Sequence, residues 1–406
     1  MKTYLAVALF LFSLSVQGQV SANEFLASAW DAPEIKALTN QEAYLSNKPY
    51  RLAPIRKVAI ATESNQLDRT RQDYSFRVLP ANPWEMRYTN QYFKTYHDLI
   101  GIDRERVLGK LIQQRYEAII TWTYLQEVLS LRQEEKQLTE SWITILAAQL
   151  NSAFAKPDDY VEARLDLVTR ALEVERVKFD IANQQQIIEH LFEKARHKTI
   201  DWKSEQLVPV SEIIAKLQTQ QVMQANQDIA YRTRQVELAN YRYLLEKSNI
   251  NIGYVQTEYQ PFRIEANRRP WNVTVGVTIP LFNPNKGDMA FRKLQILQAE
   301  GQLEEAKLEA RHAWELGVGR IQSLIDRYNE LVAMLAELNA EDLNWKLTAV
   351  KENNPAVTVR LKLNLVKIKL AMARLKQEVY QGYIELLAQQ DQLQRQPVQN
   401  YLLGGN

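Results

Sequence analysis

Hydrophobic and polar residues alternate in two short segments of the chain. In the first, the apolar positions are Trp84, Met86, Tyr88 and Tyr92. In the second, they are Trp271, Val273, Val275, Val277 and Ile279. A period of two is typical of a β-strand, and a further run of this kind lies just upstream of each segment, at residues 74–78 and 250–254. The pattern predicts two β-hairpins, one in each half of the chain.

Helical periodicity surrounds both hairpins. It predicts helices at residues 52–72, 98–153, 211–247 and 288–351. Each hairpin is followed by a long helix, by a proline at Pro157 or Pro355, and by another helix. The repeated order favours an internal duplication, with structural repeats at residues 19–205 and 206–396 and a tail at 397–406.

The helix after each proline carries two adjacent apolar stripes. After Pro157, one stripe contains Val161, Leu165, Val168 and Leu172, and the other contains Ala163, Leu167, Ala171 and Val174. Two stripes predict a neighbouring helix on each side. A helix over residues 288–351 would extend on the order of 90 Å, which is too long for a compact domain and predicts a rod or a tube.

The first residues indicate export. Lys2 precedes an apolar run at residues 5–16, and the small residue Gly18 follows. This is the pattern of a cleaved signal peptide, predicted at residues 1–18. The chain has no cysteine, so neither a disulfide nor an acylated cysteine is expected.

Composition also limits the folds and functions that are expected of the chain. The chain has 406 residues but only 12 glycines and 13 prolines, so long helices are expected. Its formal net charge of +2 argues against nucleic acid as a partner. The four histidines are scattered, and no pattern of catalytic, cofactor-binding or metal-ligating residues is found. We expect a protein that is not an enzyme and that needs no cofactor.

The segment at residues 276–283, which reads Gly-Val-Thr-Ile-Pro-Leu-Phe-Asn, resembles a strand end typical of the TolC-like outer-membrane efflux proteins. The resemblance extends over nearly all of the predicted mature chain. It implies a mainly α fold with a small β part, in which long antiparallel helices form a periplasmic α-barrel. Each subunit would give four strands to a 12-stranded outer-membrane β-barrel shared by a homotrimer, since four strands cannot close a barrel alone.

The resemblance also implies roles for particular residues. The tips of the helical hairpins, near 154–159 and 351–356, would dock a periplasmic adaptor, with candidates Lys156, Pro157, Asp158, Asn353, Asn354 and Pro355. Neither tip has the glycine that is usual in the family. Asp166 and Lys362 are the candidates for the periplasmic entrance. Trp271, Val273, Val275, Val277 and Ile279 would face outer-membrane lipid.

The implied function is that of a passive exit duct. It would serve a tripartite efflux pump or a type I secretion system, together with an adaptor and an inner-membrane transporter. The alternative is a periplasmic coiled-coil scaffold without channel activity. The apolar face predicted for residues 271–279 favours the duct, because a scaffold has no need of it.

Overall fold

The computed structural model describes residues 19–403, with gaps at 65–71, 151–156, 197, 204–206, 220–225, 251, 262–269, 279–284, 339–354 and 396–398. The helices are α1 (Ala22–Ala27), α2 (Pro33–Ser46), α3 (Pro83–Gln149), α4 (Pro157–Leu191), α5 (Val210–Thr219), α6 (Gln227–Ser248), α7 (Lys286–Glu337) and α8 (Pro355–Gln389). Short 3-10 helices lie at Ser28–Asp31 and Glu193–Ala195. The strands are β1 (Gln19–Val20), β2 (Ile55–Ser64), β3 (Gln72–Pro80), β4 (Thr199–Ile200), β5 (Gly253–Tyr259) and β6 (Trp271–Val277). The predicted fold class, mainly α with a small β part, is confirmed.

One antiparallel sheet joins the strands of the two halves of the chain. Its strand order is β2-β3-β5-β6, so β3 of the first hairpin pairs with β5 of the second. The register sets Val78 opposite both Val58 and Val255, and Val255 opposite Val275. Strands β1 and β4 form a separate, short parallel pair.

The first hairpin differs from its prediction. Residues 84–92 were predicted as a strand but belong to α3, which begins at Pro83. The Oδ1 atom of Asn82 accepts a hydrogen bond from the backbone N–H of Trp84 at 3.0 Å and so caps this helix. Trp84, Tyr88 and Tyr92 are spaced by four residues, which suits a helix as well as a strand. The period alone therefore could not decide between the two.

The strand that pairs with residues 74–78 lies earlier in the chain than expected. Residues 52–72 were predicted as a helix, but β2 occupies Ile55–Ser64 and pairs with β3, with one irregularity between Ile55 and Lys57. Val58, Ile60 and Thr62 alternate with Lys57, Ala59 and Ala61, so a period of two was present. Alanine and lysine are depleted in strands, and pairing with β3 overrides that local preference.

The second half follows its prediction more closely. The hairpin of β5 and β6 is confirmed, and α7 covers most of residues 288–351, of which 339–351 lie outside the described residues. The helix predicted at 211–247 is two helices, α5 and α6. The side chain of Asn226 accepts a hydrogen bond from the backbone N–H of Asp228 at 2.8 Å, so it starts α6 as a new helix.

The described residues form two compact units. One contains residues among 19–32, 108–224 and 312–403; the other contains residues among 33–107 and 225–311, including the four-stranded sheet. Helices α3 and α7 have residues in both units. In the first unit, Tyr116, Tyr380 and Tyr383 are among the largest fully buried side chains.

Helix α8 packs against both α3 and α7 in the first unit. The guanidinium of Arg360 on α8 lies 4.8 Å from the ring centroid of Trp142 on α3. On the other side, a Cβ atom at Gly317 of α7 would lie 2.7 Å from the Leu386 side chain, so glycine is what allows this close approach. These contacts match the prediction of a neighbour on each side of this helix.

A buried ion network joins α3 to α4 in the first unit. The side chain of Glu135 is fully buried, and its carboxylate lies 2.7 Å from Arg132 and 2.8 Å from Arg170. The carboxylate of Glu173 lies 2.9 Å from the guanidinium of Arg132, so two carboxylates neutralise the two arginines of the network. Burial of a carboxylate is costly unless a positive charge lies beside it. The network therefore favours the one alignment of α3 and α4 that brings these four side chains together.

Candidate membrane-facing and subunit-contacting surfaces

One face of the four-stranded sheet is apolar. Residues directly opposite in an antiparallel pair point to the same side, so the register assigns the paired strand residues to one face or the other. The register also sets the polar Ser64 and Gln72 at one end of the apolar side of the sheet. We use the name apolar face for its other members: Val58, Ile60, Thr62, Tyr74, Phe76, Val78, Val255, Thr257, Tyr259, Trp271, Val273, Val275 and Val277. Val275 is 68% exposed and Val277 75% exposed, although both side chains are purely aliphatic. Such a face needs an apolar environment outside the chain.

The opposite face is polar and has an ordered layer of side chains. Arg77 donates hydrogen bonds to the Oε1 atom of Gln256 at 2.8 Å from Nε and 2.5 Å from Nη2. Its guanidinium also lies 4.6 Å from the ring centroid of Tyr254. That ring covers Gly276, where a Cβ atom would come within 2.5 Å of it. Arginine, tyrosine and glycine therefore pack side by side across three strands, in contrast to the aliphatic face behind them.

Both edges of the sheet are open in the part of the chain that the structure describes. Strand β2 pairs with β3 there, and β6 pairs with β5, and neither has a second neighbour among the described strands. An unpaired edge offers backbone N–H and C=O groups to another chain. Strands of another chain could therefore pair with β2 and with β6 and extend the sheet at both edges.

Helix α4 also has a surface without a neighbour among the described residues of its unit. Ala163, on one predicted stripe, is buried in a cluster with Ile143 and Leu146 of α3. The second stripe, formed by Val161, Leu165, Val168 and Leu172, is exposed, and Leu165 is 65% exposed. We call these four residues the α4 stripe. Helix α7 likewise exposes Leu316 in the same unit.

The residues predicted at the hairpin tips are described only in part. Pro157 is the first residue of α4, and Asp158 is exposed in its first turn, where a carboxylate complements the helix dipole. Pro355 is the first residue of α8. Lys156, Asn353 and Asn354 lie outside the described residues. The docking role of these six residues remains a prediction.

The two residues predicted at the entrance are both exposed. Asp166 lies on α4 and Lys362 on α8, and neither forms an ion pair with another described residue. Both helices contact α3; on α8, Lys369 lies 3.9 Å from Glu134 of that helix. The structure shows no ion pair between Asp166 and Lys362, and their place at the entrance remains a prediction.

The described residues contain neither a group suited to hold a metal ion nor a helix that could span a membrane. No group of three or more histidine, cysteine, aspartate or glutamate side chains there is arranged to hold a metal ion. No described helix has a stretch that is both long enough and apolar enough to cross a membrane.

These features define a fold class. The sheet of four antiparallel strands with one apolar face, together with the pairs of long helices, has the TolC-like fold that solved outer-membrane channels share. No protein-family model matches the chain, and no curated protein matches it by sequence. The resemblance to solved structures is therefore one of fold.

Three solved outer-membrane proteins show this likeness. The outer membrane protein VceC from Vibrio cholerae has a TM-score of 0.68 and 11% identity, with 91% of this chain and 96% of that chain covered. The Neisseria gonorrhoeae MtrE outer membrane channel in its open state has a TM-score of 0.68 and 12% identity, covering 93% and 91%. The Campylobacter jejuni CmeC outer membrane channel has a TM-score of 0.64 and 12% identity, covering 91% and 83%.

Proposed function

We propose that three copies of this chain form one conduit through the outer membrane and the periplasm. The observation that carries this proposal is the sheet: four strands, an apolar exposed face and two open edges. In lipid every backbone group must be hydrogen-bonded, so open edges must be closed by further strands. Three copies of four strands give twelve, enough for one barrel with a polar interior. The similar structures VceC, MtrE and CmeC are named as outer-membrane proteins or channels, which supports the same assignment.

In this arrangement the apolar face contacts lipid. Trp271, Val273, Val275 and Val277 on β6 would point outward, and Ile279, outside the described residues, would continue the set. Arg77 and its polar neighbours would face the water-filled interior. A periplasmic scaffold has no use for such a division of faces, which is why the conduit is the better interpretation.

The α4 stripe would form the contact between subunits. A ring of three copies requires a head-to-tail interface, in which two different surfaces meet. The exposed stripe on α4 and the exposed apolar residues on α7, including Leu316, supply two such surfaces. Burial of these side chains on both partners stabilises the ring, at about 25 cal/mol for each Å² of apolar surface removed from water.

The remaining predictions extend this function. The chain would be exported through a cleaved signal peptide at residues 1–18 and would consist of two duplicated repeats. A periplasmic adaptor would dock on the hairpin tips and connect the conduit to an inner-membrane transporter, as part of an efflux pump or a type I secretion system. Asp166 and Lys362 would lie at the periplasmic entrance, where charged rings influence the passage of ions.

The test is to express the full chain in a Gram-negative host, separate the membranes, and record currents from the purified protein in planar lipid bilayers. We expect the protein in the outer-membrane fraction, and we expect discrete current steps from single inserted channels. Recovery as a water-soluble periplasmic protein would contradict the proposal and would favour the scaffold instead.

A further inference from the structure

The guanidinium group of Arg77 is held at one point on the polar face of the sheet. Its Nε and Nη2 atoms both donate hydrogen bonds to the Oε1 atom of Gln256, and the group lies over the ring of Tyr254. These contacts use two of its five N–H groups, so three remain without a partner among the described residues. Arg77 is also exposed. A fixed positive charge with unused donors is therefore open to a solute on this side of the sheet.

Arg77 forms no ion pair with a carboxylate in the described part of the chain. The acidic residue beside it on the same face of β5 is Glu258, two residues after Gln256. The Glu258 carboxylate instead accepts a hydrogen bond from the side chain of Gln260 at 2.6 Å. The hydrogen-bond acceptor of Arg77 is the neutral amide of Gln256, so its positive charge is not neutralised by a direct contact.

Basic and acidic residues occupy different parts of the polar face. All five charged residues at paired strand positions lie on this face. The basic ones, Lys57 and Arg77, are nearer to the end of the sheet at which β3 precedes α3 and β6 precedes α7. The acidic ones, Glu63, Asp73 and Glu258, are nearer to the other end. Asp73 is four residues from Arg77, or about 14 Å along the strand, and salt screens charges beyond about 8 Å under physiological conditions. Asp73 and Glu63 therefore do not cancel the field around Arg77.

In the proposed trimer the polar face lines the interior of the barrel. Twelve strands that lie about 4.8 Å apart and are tilted by about 40° give a barrel of about 12 Å radius. Three copies of Arg77 would lie at one depth around this wall. The screening length rises to about 30 Å at 0.01 M salt, which exceeds the radius. At low salt the field of the three arginines therefore extends to the axis of the barrel.

We propose that three copies of Arg77 form an anion-binding ring inside the barrel, which takes solutes that carry a phosphate or carboxylate group. Because Gln256 occupies Nε and one N–H of Nη2, one N–H on each of Nη1 and Nη2 remains, and such a pair binds these groups through two parallel hydrogen bonds. A side chain that is already fixed loses less freedom on binding. Rings of arginine or lysine also select anions in other pores.

This inference rests on the proposed function, because the ring exists only if three copies close one barrel. It goes further by naming the residue that acts on solutes in the barrel and the chemical class of those solutes.

Single-channel recording in planar bilayers tests the inference with the full chain. Reversal potentials across a KCl gradient, with the dilute side at about 0.01 M, give the permeability ratio of chloride to potassium. Inorganic phosphate is then added at constant ionic strength, and the conductance is measured.

Three variants change the ring in different ways. Arg77→Gln removes the charge, and Arg77→Lys keeps the charge but not the paired donors. Thr274→Arg adds a charge in the same row across the strands, since Thr274 is directly opposite Gln256 and Gln256 is opposite Arg77. Arg51→Gln, at an exposed arginine that precedes β2, is the control.

We expect phosphate to reduce the conductance of the parent until the effect saturates. Arg77→Gln should abolish this effect and lower the permeability ratio by about twofold or more, since charges that line a narrow space set up potentials of several kT. Arg77→Lys should weaken the phosphate effect and keep the ratio, whereas Thr274→Arg should raise the ratio. Arg51→Gln should match the parent.

Parent channels without a phosphate effect, or equal results for Arg77→Gln and Arg51→Gln, would overturn the inference and leave the conduit intact. If Arg77→Gln does not assemble, an unchanged phosphate effect in Arg77→Lys or an unchanged permeability ratio in Thr274→Arg would overturn it in the same way. If the parent forms no channels, the proposed function fails as well.

Discussion

An arginine at Val275 should impair assembly far more than an arginine at its neighbour Thr274. Val275 lies on the apolar face, where it is 68% exposed, and Thr274 lies on the polar face. An arginine that faces lipid near the midplane costs about 2–4 kcal/mol, and three copies in one barrel would cost about 6–12 kcal/mol. An arginine at Thr274 would meet water in the interior, so its cost should be small.

The two variants are matched, since they differ by one position and carry the same new side chain. The assay is the yield of heat-modifiable trimer in the outer-membrane fraction, measured by electrophoresis with and without boiling. We expect Val275→Arg to be nearly absent and Thr274→Arg to approach the parent. Equal yields for the two variants would refute the assignment of the faces.

Three further predictions concern the helical part of the chain. Leu165→Glu should weaken trimer formation, because it puts a charge into the α4 stripe; sedimentation of the purified protein would measure this. Lys362→Asp should increase cation selectivity at low salt, where screening is weakest, and reversal potentials in planar bilayers would measure it. Burial raises the pKa of Tyr383 to about 12, so its contribution to stability is fully present below about pH 10 and is lost as the pH rises through 12. Tyr383→Phe should therefore reduce the alkaline loss of thermal stability.

Each of these has an outcome that counts against it. Glu162→Gln, on the same exposed part of α4, is the control for Leu165→Glu, and equal trimer content in both variants would exclude the α4 stripe as the subunit contact. Unchanged selectivity in Lys362→Asp would make Lys362 an ordinary surface charge. An alkaline stability profile of Tyr383→Phe identical to that of the parent would assign the loss to other groups, such as Tyr116, whose pKa burial also raises.

The second hairpin could be predicted because the alternation of apolar residues and the strand preference of those residues both indicate a strand. Trp271, Val273, Val275 and Val277 alternate without exception, and valine favours strands. The two apolar stripes of α4 could also be predicted, since the four residues of each stripe have helical spacing. In the structure, Ala163 of one line is buried against α3, whereas Leu165 of the other is exposed. The sequence could predict that both stripes need partners but not which partner is in the same chain.

The first hairpin could not be located because the local pattern of residues fits more than one assignment, and contacts between residues far apart in the sequence decide between them. Trp84, Tyr88 and Tyr92 satisfy both periods, and the decision depends on Asn82, whose Oδ1 atom caps α3 while its Nδ2 atom donates to the carbonyl of Ser248 at 2.8 Å. That second partner is far away in the sequence. Strand β2 is similarly defined by its pairing with β3. Local periodicity does not reveal which distant residues such a segment will contact.

The surfaces were predicted less completely than the elements. The apolar residues of β6 were identified, but the matching residues of β2 were not, because that segment was interpreted as a helix. The layer of Arg77, Tyr254 and Gly276 depends on the register across three strands, and no local motif indicates it. The predicted place of Asp166 and Lys362 at an entrance depends on the proposed assembly of several chains, which contacts within one chain do not indicate.

The central claim is that three copies close one barrel, and the mass of the assembled protein tests it most directly. The measurement is native mass spectrometry of protein extracted from outer membranes in mild detergent, with the denatured chain as the mass standard. We predict a single assembly of three times the chain mass. A monomer, or an assembly of any other number of chains, would contradict the account.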